Sequence, residues 1–267
     1  MVRSPQAPLR VVFAVGSGFS GSTLLGLALG ASGDICTLGE VRDYDIFCDD
    51  NSLCTCGAVA RSCRWWGQVA AELSPGWRLG LGRCSLAEME ARALRLLQAC
   101  AGACQGRWMV DSSKWVRWAQ ALGPKCEDVL VVHLVRDGRG VLASGLRRDE
   151  AIETVVQRWV NRNERAMAWL EGHTAPPSVR IRYEDLIASP SETIGQIRRR
   201  MGLTAPSAPI TIRPADQHHL SGNPMRFAQW RGFVLDERWK QELSAAQLAR
   251  FRELGAHTQE RLGYALD

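Results

Sequence analysis

No stretch of this 267-residue sequence holds the roughly 18–20 consecutive apolar residues that a membrane span needs. The opening MVRSPQAPLR runs straight into an apolar strand, with no signal-peptide core or cleavage site. A cytoplasmic protein with no membrane contact is therefore expected. Internal repeats, low-complexity linkers and a dense basic stripe with interleaved aromatics are also missing, and the last of these argues against a nucleic-acid partner. The excess of positive charge is small: 33 Lys and Arg against 28 Asp and Glu leave +5. It concentrates around Arg136 to Arg148 and Arg198 to Arg200, where anionic small ligands explain it. Hydrophobic residues at 46% and charged residues at 23% are ordinary for a globular chain. The length suits one α/β domain over residues 1–267.

The most informative stretch is Val11 to Leu29, VVFAVGSGFSGSTLLGLAL. A buried-type strand enters a glycine-rich turn, and a helix begins at Ser22 and Thr23. Gly16, Gly18 and Gly21 let the backbone curl with its N–H groups inward, and the helix N-terminus adds partial positive charge at the same point. An anion site is expected over Gly18, Phe19, Ser20, Gly21, Ser22 and Thr23. The spacing fits G-x-x-x-x-G-K-[ST] except at the lysine, which is Ser22 here. That lysine reaches β and γ phosphates, so its absence points to a nucleotide with a different reactive end, such as a sulfate ester.

A second motif follows the strand Val129 to Val135, which ends in Arg136 and continues RDGRGVLAS to Ser144. Arg136 offers a planar fork, Ser144 a hydroxyl about two helical turns on, and Arg148 lies about one further turn along. All three can meet one anion. Taken alone, Arg136 reads equally well as a partner for Asp137 or a solvated helix start.

Along the chain we expect strands at Leu9–Val15, Arg107–Asp111, Asp128–Val135 and Val179–Tyr183. Helices are expected at Ser22–Ala31, Leu86–Gln105, from Ser113, at Gly138–Leu146, Ile152–Leu170, Ser191–Met201 and Glu237–Leu254. Residues between the first helix and Cys63 read as irregular, and Thr204 to Asp216 as a surface crossing. Alternating strands and helices imply an α/β, three-layer sandwich with a central parallel sheet covered on both faces. Ligands sit at the carboxyl ends of such strands. The glycine loop, Asp111-Ser112-Ser113-Lys114, Arg136 and Tyr183-Glu184-Asp185 all fall there. The ten Trp, with pairs at helical spacing such as Trp115 and Trp118, read as core or pocket wall.

SGSTLL after an apolar strand resembles the 5'-phosphosulfate loop of the bacterial-type, P-loop sulfotransferases that use 3'-phosphoadenosine 5'-phosphosulfate, and RDGRGVLAS resembles their 3'-phosphate motif. The resemblance implies direct in-line transfer to a hydroxyl or amine of a small-molecule or peptide acceptor, with no metal, because loop amides and arginines neutralise the leaving bisphosphate. It implies that Glu40, in CTLGEVRD, is the general base, although alone Glu40 reads as a helix-start carboxylate satisfying the Val41–Asp43 amides. Lys114 resembles the family lysine beside the sulfate, Tyr183 the tyrosine near the adenosine, and Arg226, in the turn-rich segment His218 to Phe227, the late-loop arginine. The family usually has Lys or Arg before SGST, and this chain has Phe19; Lys114, Arg42 or Arg148 then takes over the charge stabilisation, or turnover is slow or absent.

Residues of about 42–105 read as a substrate-side insertion with a cysteine-rich loop. Its spacing C-x5-C-x-C-x6-C, from Cys48 through Cys54 and Cys56 to Cys63, lacks paired C-x2-C knuckles. That favours reduced or disulfide-linked cysteines over zinc, and the similar C-x-C-G…C-x-W segments of bacterial sulfotransferases favour a structural staple. His218 and His219 show no ligand partners at suitable spacing and read as loop residues. Two other functions stay open. A small-molecule kinase requires a lysine at Ser22 and a Mg²⁺ carboxylate, for which Asp111 is the candidate. A non-catalytic sensor of 3'-phosphoadenosine 5'-phosphate is suggested by Phe19 alone.

Overall fold

A computed structural model describes residues 7–49 and 52–266; most of the residues read as free of a signal peptide, 1–6, lie outside that range. Five strands form one all-parallel sheet in the order β2-β3-β1-β4-β5. They are β1 (Arg10–Gly16), β2 (Ile35–Gly39), β3 (Trp108–Lys114), β4 (Asp128–Val135) and β5 (Ser178–Arg182). The helices are α1 (Ser22–Leu29), α2 (Tyr44–Asp49), α3 (Arg64–Glu72), α4 (Leu86–Ala103), α5 (Val116–Leu122), α6 (Gly138–Leu146) and α7 (Ile152–Leu170). They continue with α8 (Tyr183–Ala188), α9 (Pro190–Arg200), α10 (Trp239–Glu242) and α11 (Ala245–Arg261).

The pleat of β1 divides the core. Val11, Phe13 and Val15 pack with α4 and α5 on one face, while Val12 and Ala14 pack with α1, α8 and α9 on the other. A strand buried on both sides reads as a continuous apolar run, and β1 does. A third cluster joins α6, α7 and α11 beyond the end of β4, around Trp159 and Phe251.

Several boundaries differ from the expected ones. The edge strand β2 and the helix α3 fall in segments read as irregular or left unassigned. β2 is only ICTLG, too short to show periodicity, and its pairing with β3 defines it. β3 runs on to Lys114, so the helix expected from Ser113 begins only at Val116, and the Asp111 carboxylate takes the Ser113 N–H at 2.8 Å and hydroxyl at 2.5 Å. The helix expected over Glu237–Leu254 is two, α10 and α11, because Ser244 and Gln247 form a reciprocal cap that starts α11 afresh. Arg198 serves the fold and not a ligand, bridging α9 to Asp34 at the entrance to β2.

Candidate active site

The turn after β1 forms one wall of a cavity of about 800 Å³ at the carboxyl edge of the sheet. Gly16 at φ +137° and Gly21 at φ +91° use a backbone region that side chains disfavour. A Cβ on Gly21 would stand 2.6 Å from the Tyr183 ring. Directly after Gly21, α1 begins with no side-chain cap and no acidic residue in its first turn. Its first N–H groups and the positive end of its dipole are left for a ligand.

Each strand end contributes. Glu40 follows β2 directly, with Oε1 2.5 Å from Lys114 Nζ and Oε2 3.8 Å from Arg42. Lys114 closes β3 in a left-handed conformation, φ +62°, and also donates to the Ser112 carbonyl at 3.1 Å. Burial pushes its ammonium below the usual lysine range, and Glu40 opposes that shift. Arg136, after β4, donates to the Phe19 carbonyl at 2.9 Å and the Asp236 carbonyl at 3.0 Å, and its guanidinium lies 4.5 Å over the Tyr183 ring. The Ser144 hydroxyl donates to the Gly140 carbonyl at 2.8 Å and accepts from Arg147 at 3.1 Å. Arg148 lies 5.2 Å and Arg158 6.0 Å from the Phe19 ring centre.

Gly18, Phe19, Gly21, Ser22, Thr23, Glu40, Lys114, Arg136, Ser144, Arg148 and Tyr183 thus line one cavity. Two expected residues do not. Ser20 is buried beneath the turn. Arg226 turns away and donates to the Leu53 carbonyl at 2.8 Å and the His219 carbonyl at 3.3 Å. The late segment reaches the cavity instead through Ser221, Gly222, Asn223 and Met225, and Asn223 N–H bonds the Thr23 hydroxyl at 3.0 Å. Asp111 is also off the cavity, held by Ser113 and by Trp118 Nε1 at 2.7 Å.

Sequence reading missed Arg158, Arg162, Asp236 and Arg238, all of which line the cavity. The i,i+4 spacing of Arg158 and Arg162 on α7 was a usable signal for one charged face. Asp236 sits in a segment without regular structure and had none. Its carboxylate lies 2.8 Å from Arg238, 3.2 Å from Arg136 and 3.5 Å from Arg147. The hydrogen bond from Arg238, joined by Arg136, holds its carboxyl well below the usual carboxylate range. An anionic ligand group would compete with Asp236 for the same guanidinium groups.

The cysteines are all thiols. Cys54, Cys56 and Cys63 gather with His218, their ligand atoms within 4.8 Å of one another. This corrects the expectation that His218 has no ligand partners: the partners lie some 155 residues away in the chain, which spacing cannot reveal.

Residues 11–207 match the family described as the sulfotransferase family. No curated protein matches the chain. Among solved structures, the sulfotransferase domain from the curacin biosynthetic pathway aligns over 98% of this chain and 100% of its own, at 16% identity and a TM-score of 0.63. A sulfotransferase from Mycobacterium avium aligns over 98% of this chain and 78% of its own, at 11% identity and a TM-score of 0.55. The sulfotransferase domain of the Synechococcus PCC 7002 olefin synthase covers 98% and 96%, at 17% identity and a TM-score of 0.51. At these identities the likeness is one of fold. Among the described residues, no helix is long and apolar enough to cross a membrane.

Proposed function

The chain belongs to the sulfotransferase family, and on that footing we propose that it moves a sulfuryl group from 3'-phosphoadenosine 5'-phosphosulfate to a hydroxyl or amine of a small-molecule or peptide acceptor. The observation that carries this reading is the uncapped start of α1, with no acidic residue in its first turn, opening on an arginine-rich cavity of nucleotide size. Gly21 keeps that cradle open, since a side chain there would run into Tyr183.

Gly18, Phe19, Gly21, Ser22 and Thr23 would hold the 5'-phosphosulfate, with Arg136, Ser144 and Arg148 on the 3'-phosphate. When bound, the donor supplies the sulfur that accepts the new S–O or S–N bond as its bond to the 5'-phosphate oxygen breaks in line. Glu40 takes the proton from the acceptor, oriented by Lys114 at 2.5 Å and Arg42 at 3.8 Å. Lys114 stabilises charge on the departing oxygen. Phe19 brings no charge of its own, but Arg148 and Arg158 flank its ring, so positive charge reaches this wall from α6's end and α7.

A kinase reading has less support, because the Walker lysine position is Ser22 and the candidate carboxylate Asp111 is locked to Ser113 and Trp118 away from the cavity. The test is calorimetric titration with 3'-phosphoadenosine 5'-phosphate and, separately, with ATP and Mg²⁺, using Arg136→Ala as control. Bisphosphate binding weakened roughly tenfold or more in the variant, the value of a charge-assisted contact, supports the donor site. Preference for ATP with Mg²⁺ would overturn it.

A further inference from the structure

Cys54, Cys56, Cys63 and His218 form the one group of metal-ligating side chains found among the described residues outside the cavity. Cys56 Sγ lies 3.7 Å from Cys63 Sγ, and His218 Nδ1 lies 3.7 Å from Cys54 Sγ and 3.3 Å from Cys63 Sγ. A tetrahedral zinc ion, with Zn–S near 2.3 Å and Zn–N near 2.0–2.1 Å, needs ligand edges of about 3.8 Å between sulfurs and about 3.6 Å from sulfur to nitrogen. A disulfide would draw one pair of sulfurs to about 2.05 Å and leave the third thiol and the imidazole unused.

The surroundings hold these ligands in place. Leu53 pairs with Val59, Cys54 N–H bonds the Ala58 carbonyl at 2.9 Å, and Gly57 turns the chain back at φ +84° to bond the Cys54 carbonyl at 2.9 Å. Cys63 stands at the N-terminus of α3, whose start fixes its position. The His218 ring stacks on Trp65, its carbonyl accepts from Trp66 Nε1 at 2.8 Å, and the next residue's N–H bonds Thr55 at 3.0 Å. Three thiolates and one neutral imidazole around Zn²⁺ leave a charge of −1. Buried Arg226 donates to the carbonyl of Leu53, the residue before Cys54, at 2.8 Å, and its Nε has no hydrogen-bond partner among the described residues.

We propose that this cluster is a structural zinc site. The ion displaces three thiol protons to solvent, and protein fills all four positions, so no coordination place is left for water or substrate. The site joins the 54–63 loop to the segment that carries Ser221, Gly222 and Asn223 into the cavity wall. It stands or falls independently of the sulfotransferase reading.

The test uses the full chain purified under reducing conditions without chelator, with metal content measured by mass spectrometry. One zinc per chain is expected, lost in Cys56→Ser and in His218→Ala and kept in Cys84→Ser. Cobalt added to the stripped wild-type protein should give thiolate charge-transfer and tetrahedral d–d absorption, a readout that needs no variant to fold. Folded wild-type protein that takes up neither metal would overturn the proposal. So would zinc retained in full by both ligand variants, or an intact mass showing a disulfide among these cysteines.

Discussion

The two walls of the cavity are built by different means. On one side the strand ends, the glycine turn and the start of α1 follow from local sequence: apolar runs make the strands, glycines make the turn, and Arg136 and Tyr183 each directly follow a strand. On the other side the wall depends on residues far apart in sequence. Glu40 N–H bonds the Leu220 carbonyl at 3.0 Å, Leu220 N–H bonds the Leu38 carbonyl at 2.9 Å, and the loop around Cys54 is fastened to His218. A parallel sheet supplies a rigid platform whose longer strands the sequence advertises. A wall pinned by contacts between segments distant in sequence can change composition without disturbing that platform.

Glu40 sits where the walls meet, and its loss should have the largest effect. Glu40→Gln should lower turnover of labelled donor, against a mixed acceptor panel, by roughly 10²–10⁴ in kcat. Bisphosphate affinity should survive, because the residues proposed to hold the donor lie on the other wall. Undiminished turnover would remove Glu40 from the chemistry and leave its pair with Lys114 a structural contact. Gly21→Ala strikes the platform itself. With φ at +91° and Tyr183 2.6 Å from the new methyl, a loss of roughly 1–3 kcal/mol is expected in urea unfolding, together with weaker bisphosphate binding by calorimetry. Wild-type values for both would show that the cradle yields.

This asymmetry explains what was legible. β4, α6 and α7 begin and end where sequence reading places them, at Asp128–Val135, Gly138–Leu146 and Ile152–Leu170, because each has a long apolar pattern with a turn signal at either end. Glu40 was found by likeness to a family segment, but its position was not: β2 carries it, and five residues show no period. Likeness to the family's late loop puts Arg226 in the cavity, yet its fork is taken by the Leu53 and His219 carbonyls. Asp236 and the partnership of His218 with the cysteines are tertiary facts, set by packing between segments that share no local pattern.

The platform also has its own pH signature. His133, on β4, is buried, and its Nε2 pairs with Asn163 Oδ1 at 3.0 Å. Burial lowers its pKa from 6.5 to about 4. With the folded value below the unfolded one, its contribution is fully present above pH 6.5 and is lost as pH falls toward 4. Between pH 6.5 and 5 the loss should be about 2 kcal/mol. Urea unfolding of wild type and His133→Gln at pH 7 and pH 5 should show a smaller pH dependence in the variant. Equal dependence would assign the acid sensitivity elsewhere.

The smallest effect belongs to the entrance of β2, the strand that joins the two walls. Asp34 pairs with Arg198 at 2.6 Å, and that hydrogen bond lowers its pKa from 3.8 to about 2. The contribution is present above pH 3.8 and is lost as pH falls through about 2, a window that does not overlap that of His133. The Asp34 side chain is 43% exposed, so solvent screening keeps the pair's worth to about 1 kcal/mol or less. Asp34→Asn should therefore cost the same small amount at pH 7 and pH 5, and the gap to wild type should close only below pH 3.8. A gap that already narrows between pH 7 and 5 would mean that the bridge to Arg198 does not set the stability of this edge, leaving β2 to be held by its pairing with β3 and by its backbone bonds to Leu220.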